Sequence, residues 1–470
     1  MFHGTWVPFV ERRIIKMITK IKWNNHEILG DLELDFTRDD GTPYSTIVIA
    51  GENGTGKTTI LDTLSTFLNF GSIEPFELIE YVVNNKHYII SPLAEENKKY
   101  GFHKRVCKSD NSIENIYTNA ESIDNDIFDI RHYGCSYSRA RSGFPTSKVK
   151  TVTTSQLDAN KHESDENEDF TSVKQLIVDI DTQDNSKWME ICRSNVRLPF
   201  ENFLQNAKMT RFKKAFNDFF ENLSFEKVDN ESIEEKRILF DKYNHKISID
   251  SLSTGEKQIV FRGAQLLKNC NSICGGITLI DEPELSMHPM WQKKIFSYYR
   301  SLFMVDERQT TQLIMATHSE YVLASALQDL DNVLVIVLTQ TSEGINSKRI
   351  TRSSILPSIT SAEVNYLAFN IISTDYHIEL YSSLQRNLND ANVVKTDAYI
   401  KSCSVYNSSV HYKPSSFTNR SGHTNTYETL PTYIRNAIDH PDPINRPYTP
   451  EELQTSVELL IGICNALENH

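Results

Sequence analysis

The chain has 470 residues, of which 39% are hydrophobic and 24% are charged. This composition is typical of a globular protein that is too long for one ordinary core, so we expect two domains, or one large domain with an insertion. The net charge of −13 disfavours nonspecific coating of nucleic acid by the whole surface, so any such contact would be local.

The cellular compartment is predicted from two features that are absent from the sequence, a membrane-spanning run and a signal peptide, and from the cysteine pattern. No apolar run approaches the roughly 18 residues that a membrane-spanning helix needs, and the first residues lack the apolar core of a signal peptide. The seven cysteines are an odd number with one close pair, Cys270 and Cys274, and no second pair or nearby histidine suggests zinc. The sequence therefore predicts a cytoplasmic protein with reduced cysteines and no membrane contact.

Two clusters of basic residues are candidates for local nucleic-acid contact. For each cluster a solvated charged face is the favoured interpretation, and a nucleic-acid surface is the alternative. The clusters are Arg12, Arg13, Lys16, Lys20 and Lys22 near the N-terminus, and Lys208, Arg211, Lys213 and Lys214 on a predicted helix.

The first predicted elements are two paired strands, residues 14–22 and 28–36, whose apolar residues alternate or run together. A buried strand follows at 47–50, where four apolar residues are consecutive. After a glycine-rich turn, a helix begins near Lys57 and carries apolar residues at helical spacing between Ile60 and Leu68. That face would pack on the sheet.

The turn between this strand and this helix, residues 51–59, reads Gly-Glu-Asn-Gly-Thr-Gly-Lys-Thr-Thr. Its glycines let backbone N–H groups turn inward around an anion, and the helix N-terminus presents its positive dipole to the same charge. Lys57 would reach the β- and γ-phosphates of ATP, and the Thr58 hydroxyl would ligate Mg²⁺. The predicted nucleotide-binding residues are Asn53, Gly54, Gly56, Lys57, Thr58 and Thr59.

The interval from about 72 to 250 has a different character and is predicted to be an inserted, partly helical lobe. Its segment 151–169 contains almost no apolar residue, which indicates a mobile acidic surface loop. Further on, an apolar face at helical spacing is predicted to be packed; it consists of Phe212, Phe216, Phe219, Phe220 and Leu223. No heptad pattern is sustained, which excludes a long coiled-coil arm.

Residues 252–258, Leu-Ser-Thr-Gly-Glu-Lys-Gln, form a small-residue turn that opens a helix. The Ser253 hydroxyl, the Gly255 N–H and the helix N-terminus would make a second anion site. Because residues 51–59, the phosphate cradle, would already hold the nucleotide of their own chain, this site would clamp the γ-phosphate bound by another copy of the chain. The alternative is an ordinary helix start, since Ser253 followed by Glu256 is also a capping box.

Two more predicted strands end in chemically active residues. The strand at 277–280 leads into Asp281 and Glu282, which would enter the Mg²⁺ shell and face the attacking water, respectively. The strand at 313–317 leads into His318, which would hydrogen-bond the γ-phosphate or the water. Taken alone, each has a plain alternative, a turn or a satisfied strand-end histidine, but together they follow the cradle in the order that nucleotide hydrolysis needs.

With these motifs in place, residues 14–340 resemble the ABC-class ATPases of the SMC, RecF, RecN and OLD group. The resemblance rests on a Walker A motif at 51–59, a signature at 252–258, a Walker B motif at 277–282 and a histidine switch at 317–319. The expected fold class is α/β, an ABC-type ATPase head with a mixed or parallel sheet flanked by helices, an inserted helical lobe and a mainly helical C-terminal domain.

The resemblance also implies how the motifs would act. It implies head-to-tail ATP sandwiches in which Lys57 and Thr58 come from one subunit and Ser253 and Gly255 from the other. It implies Glu282 as the general base. Transport by this chain alone is unsupported because the transmembrane half of a transporter is missing from the sequence.

Within that group the sequence looks most like the stand-alone Septu anti-phage ATPases, the PtuA family, including its retron-associated form. The similar stretches are Ile-Lys-Trp-Asn-Asn-His at 21–26, the Walker A form, residues 281–289, and Leu-Pro-Thr-Tyr-Ile-Arg-Asn at 430–436. This likeness implies an HNH nuclease partner of the PtuB kind and an oligomer larger than a dimer. It also implies a reverse transcriptase and retron nucleic acid as further partners.

The C-terminal stretch, 356–470, is predicted to be mainly helical, with helices at 361–390 and 450–467 and a turn-rich region between them. Unlike OLD enzymes, it lacks a plausible Toprim nuclease pattern. Arg435 and His440 are similar to the Arg-Asn-x-x-x-His motif of HEPN ribonucleases. The favoured interpretation is that they are polar residues at a helix end.

Together, these patterns predict an ATPase domain at 14–355 and a C-terminal domain at 356–470. The predicted function is an ATP-binding and ATP-hydrolysing oligomeric regulator of an associated nuclease in bacterial anti-phage defence. The alternatives are an ATP-controlled, HEPN-like ribonuclease and a RecF-like DNA-repair ATPase.

Overall fold

The structure, a computed structural model, describes residues 14–468 apart from 98, 100, 159, 166–167, 195–197, 231–233, 306, 343, 351–354, 419–423 and 440–447. The chain divides into two compact units, Met1–Arg349 and Ile350–His470. The sequence placed this division a few residues later, between 355 and 356.

In the described part of the chain, the strands of the first unit form two large sheets and two small ones. In chain order they are β1 (Lys16–Trp23), β2 (Glu33–Asp35), β3 (Thr46–Gly51), β4 (Phe76–Val83), β5 (Lys86–Pro92), β6 (Phe102–Cys107), β7 (Ile113–Tyr117), β8 (Cys135–Ser138), β9 (His162–Ser164), β10 (Leu223–Asp229), β11 (Arg237–Lys242), β12 (His245–Ser248), β13 (Ile277–Asp281), β14 (Met304–Val305), β15 (Arg308–Gln309), β16 (Gln312–Thr317), β17 (Val333–Thr341) and β18 (Gly344–Ile350).

The helices of the same unit lie between these strands. They are α1 (Lys57–Leu68), α2 (Ala120–Asn125), α3 (Phe170–Arg193), α4 (Phe200–Asn206), α5 (Lys208–Phe219), α6 (Thr254–Lys268), α7 (Pro289–Leu302) and α8 (Glu320–Leu327). The predicted α/β class is confirmed, because parallel strands alternate with helices in this unit.

The central sheet has the strand order β18-β17-β3-β16-β13-β8-β9 in the described part of the chain. From β17 to β9 neighbouring strands run parallel. Every residue of β3, β13 and β16 is buried, as expected for strands covered on both faces. The strands predicted at 47–50, 277–280 and 313–317 are therefore neighbours, and their carboxyl ends share one edge.

A second, antiparallel sheet has the order β2-β1-β4-β5-β6-β7. The predicted pairing of the first two strands is confirmed, with Ile21 opposite Leu34. A single apolar core joins this sheet to α1 and to β3, and in it Trp23 lies 5.5 Å and Phe67 lies 6.0 Å from the ring of Phe76. Helix α1 thus packs its predicted apolar face between two sheets.

The prediction of an inserted lobe at 72–250 needs correction. Strands β4–β7 hydrogen-bond to β1, and β8 pairs with β13 in the central sheet, so these parts of the interval belong to the two main sheets. Only the later part, with α3, α4, α5 and the small sheet β10-β11-β12, fits a helical addition. The predicted packed face on α5 is correct, since Phe212 and Phe216 are fully buried.

The segment 151–169 is also more ordered than predicted. It contains β9, which pairs with β8, and the Thr153 N–H donates to Asp179 Oδ1 at 2.8 Å. The Asp158 carboxylate forms a salt bridge with Arg211 at 3.0 Å. Polar composition misled here because the polar side chains of this segment are used in contacts with α3 and α5.

The second unit is mainly helical, as predicted, and includes one hairpin. Its elements are α9 (Ser361–Phe369), α10 (Thr374–Asn387), α11 (Val393–Ser402), α12 (Ser408–His411), β19 (Tyr412–Thr418), β20 (Thr424–Thr429), α13 (Leu430–Asp439) and α14 (Pro450–Glu468). The run predicted as one helix at 361–390 is two helices, because Asn370 at φ 53° ends α9 in a left-handed conformation. Buried Leu380, Leu384 and Leu460 belong to its own core.

Candidate functional site

The phosphate cradle forms at the carboxyl end of β3, as its sequence predicts. Gly54 and Gly56 have φ angles of 87° and 83°, a left-handed conformation that glycine adopts without Cβ strain. Gly56 caps α1, which begins at Lys57. Asn53 and Gly54 are exposed at the mouth of the turn, and Thr59 is half-buried in the first turn of the helix.

Lys57 is buried and turned back into the cradle. Its Nζ donates to the carbonyl oxygens of Gly51 and Glu52 at 2.7 and 2.8 Å. Burial lowers the pKa of this amine, while the negative charges of Glu282 and Asp281 act in the opposite direction. The ammonium group is therefore held by weak neutral acceptors at the position where a phosphate would offer charged ones.

Thr58 and Asp281 meet although 223 positions separate them in the chain. The Thr58 hydroxyl donates to Asp281 Oδ2 at 3.0 Å. Burial raises the pKa of Asp281 to about 6, opposed by the bond from Thr58. Among the described residues, the buried Oδ1 of Asp281 has no hydrogen-bond partner.

This hydroxyl and this carboxylate fit a hard divalent cation. Mg²⁺ in proteins is held by one or two carboxylates or hydroxyls and keeps its remaining positions for water and phosphate oxygens. The described residues contain no group of three or more His, Cys, Asp or Glu side chains that would enclose a metal by themselves. An ion at Asp281 would therefore depend on the nucleotide for the rest of its shell.

Glu282 and His318 lie side by side at the ends of β13 and β16. His318 Nδ1 is 3.4 Å from Glu282 Oε1. The hydrogen bond with His318 is the main cause that lowers the pKa of Glu282, and the same bond raises the pKa of His318. Both side chains are partly exposed, at 24% and 41%, so solvent and a ligand can reach them.

Glu284, which the sequence reasoning missed, fixes the loop that carries His318. Its Oε1 accepts hydrogen bonds from the Thr317 hydroxyl at 2.7 Å, the His318 N–H at 3.0 Å and the Ser319 N–H at 3.1 Å. The side chain is 4% exposed. The available signal was a third carboxylate, two positions after Glu282, in the same short stretch.

The signature residues have an intrachain role in addition to any anion binding. Ser253 and Glu256 form the capping box at the start of α6, where the Ser253 N–H donates to Glu256 Oε2 at 2.8 Å. A Cβ on Gly255 would lie 2.9 Å from the Ser286 carbonyl oxygen and 3.2 Å from the Trp291 ring. The capping alternative is thus realised, while exposed Ser253 has hydrogen bonds to Glu256 and none to residues 51–59 among the described bonds.

A second missed residue, Arg262, lies two turns into α6 and is fully buried. Its Nη1 donates to the backbone oxygen of Asp281 at 2.7 Å. Its positive charge opposes the burial that raises the pKa of Asp281. Periodicity could not identify it, because an arginine within an apolar helix face looks like an interruption of that face.

A third missed group lies beside Thr58 and Asp281. Asp62, one turn after Thr58 on α1, accepts a hydrogen bond from the Tyr137 hydroxyl at 3.0 Å and forms a salt bridge with Arg139 at 3.1 Å. Because Ser138 pairs with Ile280, Arg139 follows β8 at the level of Asp281. A charged cluster therefore borders the site on the β8 side.

The N-terminal basic cluster does not form an open ligand surface in its described residues. In the N-terminal basic cluster, Lys16 is buried, and Lys20 and Lys22 form salt bridges with Glu33 and Glu77 at 2.6 Å each. Arg12 and Arg13 lie outside the described residues. The structure thus supports the solvated or structural interpretation of this cluster.

On α5, Lys208, Arg211 and Lys213 also have partners within the chain, and the side chain of Lys214 lies outside the described part. Arg211 pairs with Asp158 and donates to the Leu267 carbonyl at 3.0 Å. Lys208 Nζ donates to Gln183 Oε1 at 2.9 Å, and Lys213 lies over the ring of Phe225. These contacts favour a packed helix face over a nucleic-acid surface.

In the second unit, Arg435 lies on α13 and forms a salt bridge with Asp439 at 2.6 Å. It also donates to Asn436 Oδ1 at 3.0 Å. His440, its predicted ribonuclease partner, lies outside the described residues. These contacts are the ones expected of polar residues near a helix end.

None of the helices in the described part of the chain is both long and apolar enough to span a bilayer.

Comparison with known proteins assigns the chain to a family. The family described as "AAA domain, putative AbiEii toxin, Type IV TA system" matches residues 84–324, just over half of the chain and including the signature, Asp281, Glu282 and His318. The chain belongs to this family. It carries an ATPase domain of the AAA/ABC type, and the cradle at 51–59 precedes the matched region.

A protein from Escherichia coli named "Retron Ec83 probable ATPase" is 36% identical to this chain over 94 residues. The match covers 18% of this chain and 16% of that protein. The chain therefore spans only a small part of the curated relative that it matches.

Solved structures of SMC head domains are similar over much of the chain. An Smc head bound to the C-terminal winged-helix domain of ScpA has a TM-score of 0.39 at 15% identity. The match covers 71% of this chain and 98% of the Smc chain. An SMC head domain from Thermotoga maritima has a TM-score of 0.34 at 13% identity and covers 71% of this chain and 98% of its own.

Proposed function

We propose that this protein binds and hydrolyses ATP and that, as an oligomer, it regulates an associated nuclease in bacterial anti-phage defence. One observation carries the ATPase part of the proposal. Thr58 lies in the first turn of α1, which follows β3, whereas Asp281, Glu282 and His318 lie at the ends of the neighbouring strands β13 and β16. They meet in one site at the edge of the sheet. Ligands bind at such edges in α/β folds.

In this proposal each side chain has a distinct task. Lys57 exchanges the carbonyl oxygens of Gly51 and Glu52 for the β- and γ-phosphates, a stronger pairing because the new acceptors are charged. Glu282 accepts a proton from the water that attacks the γ-phosphorus, and ADP leaves. His318 holds the Glu282 carboxylate in place and donates to the reacting group.

Mg²⁺, held by Thr58 and Asp281, would neutralise the charge that develops on the phosphates. The unpartnered Asp281 Oδ1 supports this assignment. The remaining proposed nucleotide contacts are the backbone N–H groups of the cradle, including those of Gly54, Gly56 and Thr59.

We propose in addition that the ATP site is completed by a second copy. Ser253 is exposed at the N-terminus of α6, where the helix dipole attracts an anion. The copies would associate head to tail, so that Ser253 and Gly255 of one chain face the γ-phosphate held by Lys57 of the other.

The defence role rests on two likenesses: the Septu-like stretches of the sequence, and the partial match to the retron-associated ATPase. They support an HNH nuclease as the partner, with a reverse transcriptase and retron nucleic acid as further components. The proposed location is the cytoplasm. Pull-down of co-expressed proteins from the native gene neighbourhood tests this part, and a neighbourhood that encodes neither a nuclease nor a reverse transcriptase would count against it.

Replacement of the proposed base tests the ATPase. Glu282→Gln is expected to keep Mg²⁺-dependent ATP binding while hydrolysis falls by roughly 10²- to 10⁴-fold, the usual contribution of a positioned base. Binding is measured with a fluorescent ATP analogue and hydrolysis by phosphate release. Hydrolysis at the wild-type rate would show that Glu282 is not the base.

Lys57→Ala is the matched control for that experiment. It removes a phosphate ligand and leaves the base, so ATP binding itself should weaken. The two variants therefore separate loss of binding from loss of chemistry.

A further inference from the structure

Arg262 is a buried cation whose hydrogen bonding is incomplete. The side chain is 0% exposed, and only Nη1 has a partner among the described residues, the backbone oxygen of Asp281 at 2.7 Å. The buried Nε and Nη2 have none. Burying a charge without full pairing is costly. The nearby carboxylates of Asp165 and Asp281 offset part of that cost, and the side chain directs its hydrogen bond at the peptide between Asp281 and Glu282.

The acceptor of Arg262 belongs to the peptide bond that joins the metal-binding carboxylate to the proposed base. The carbonyl group of that peptide comes from Asp281, and its N–H, from Glu282, donates to the Ala316 carbonyl at 2.9 Å. Both polar groups of this single peptide are thus held, one by α6 and the other by β16. The orientation of the peptide plane is fixed from two sides.

The fixed peptide has an unusual conformation. Glu282 has a φ angle of 43°, in the left-handed region that residues other than glycine rarely adopt. Strain of this kind persists only where the surrounding structure imposes it, and it is concentrated at functional sites. The bond from Arg262 is one of the two contacts that impose it.

We propose that Arg262 is a positioning residue for ATP hydrolysis: it holds the Asp281–Glu282 peptide so that one carboxylate faces Thr58 and the next faces His318. The inference rests on the proposed ATPase function. Because Arg262 lies two turns from Gly255 on α6, it also links the helix start that would meet a partner's nucleotide to the Walker B strand of its own chain.

The test compares Arg262→Met with Arg131→Met in the full-length protein. Arg131 is also 0% exposed, yet it is well paired, with Nε and Nη2 at 2.9 and 2.7 Å from the two oxygens of Asp129. Its removal should lower the melting temperature, because it leaves a buried carboxylate unpaired, without changing kcat per folded molecule.

Arg262→Met should show the opposite pattern. We expect a smaller loss of melting temperature than in Arg131→Met, fluorescent-ATP binding and KM within about threefold, and kcat lowered roughly 10- to 100-fold, as for residues that orient catalytic groups indirectly. Arg262→Lys should restore part of kcat, because its ammonium group can donate to the same carbonyl. If Arg262→Met does not fold, Arg262→Leu, which also has no donor, takes its place.

Two results would overturn the inference. One is wild-type kcat in the Met or Leu variant; the other is a lowered melting temperature with kcat per folded molecule unchanged, the pattern of a purely structural residue. Absence of ATP hydrolysis in the wild-type protein would instead overturn the proposed function, so the two failures are distinguishable.

Discussion

At the residue scale, the site is a set of carboxylates whose environments differ. Asp281 is 3% exposed and its pKa is raised by burial to about 6, whereas the pKa of Glu282 is lowered by its hydrogen bond to His318. Adjacent residues in the chain thus have opposite shifts. The lowered pKa keeps the Glu282 carboxylate ionised and able to accept a proton, and a bound cation would lower the pKa of Asp281 again.

The raised pKa of Asp281 makes a prediction about stability. The proton is bound more tightly in the folded than in the unfolded protein, so the contribution of Asp281 is present at low pH and is lost as the pH rises through about 6. Without Mg²⁺, Asp281→Asn should therefore stabilise the protein at pH 7.5, on the order of 2 to 3 kcal/mol, since one pKa unit corresponds to about 1.4 kcal/mol.

The measurement is denaturant unfolding of both proteins at pH 7.5 and pH 5 in a chelator. The stabilisation should shrink at pH 5, where Asp281 in the wild type is already neutral. A larger gain at pH 5 than at pH 7.5 would contradict the assignment. Added Mg²⁺ and ATP should stabilise the wild type and have little effect on the variant.

At the element scale, α6 has two duties at its N-terminus. The capping box between Ser253 and Glu256 stabilises the helix start, and the same hydroxyl is the proposed ligand for a partner's phosphate. The helix cap alone is enough to explain the position of the Ser253 side chain. A substitution that keeps the cap but changes the charge is therefore needed to separate capping from phosphate binding.

Ser253→Asp and Ser253→Asn form such a pair, because both residues cap helices about as well as serine. We expect the asparagine variant to unfold within about 1 kcal/mol of the wild type. The aspartate variant should be less stable, because its carboxylate lies beside that of Glu256, which accepts a hydrogen bond from the Ser253 hydroxyl at 2.9 Å, so hydrolysis is compared per folded molecule. The aspartate places a negative charge where the phosphate would bind, so it should abolish ATP hydrolysis, whereas the asparagine should retain a substantial part of it. Equal hydrolysis rates in the two variants would leave the cap as the only role of Ser253.

At the scale of the whole molecule, the proposed site is divided between chains. Lys57→Ala and Ser253→Arg each inactivate one half of every site in a pure oligomer. In a mixed dimer, one site combines the intact cradle of one chain with the intact signature of the other. Mixing the two variants should therefore restore ATP hydrolysis to about a quarter of the wild-type rate, since half of the dimers are mixed and each has one intact site of two.

Native mass spectrometry of differently tagged chains confirms that mixed oligomers are present. If they are present and no activity returns, the two halves do not combine across chains. If each variant is active before mixing, Lys57 and Ser253 are not both essential, and the site is not shared in this way.

The sequence by itself determined which residues lie at the strand ends and helix starts of the candidate site. The glycines of 51–59, the carboxylates after β13 and the histidine after β16 were identifiable because each motif is a short run whose spacing reflects a strand end or a helix start. The confirmed α/β class follows from the same periodicities. These signals depend on neighbours in the chain, so a linear reading captures them.

The tertiary structure alone decided which distant residues support that chemistry. Strands β4–β7 were assigned to a separate lobe because nothing in their sequence says that β4 pairs with β1. Glu284 and Arg262 were missed because their roles depend on contacts with Thr317 and with the Asp281 backbone, 33 and 19 positions away. Burial, pairing and strain are set by packing between elements, and packing has no short-range pattern in the sequence.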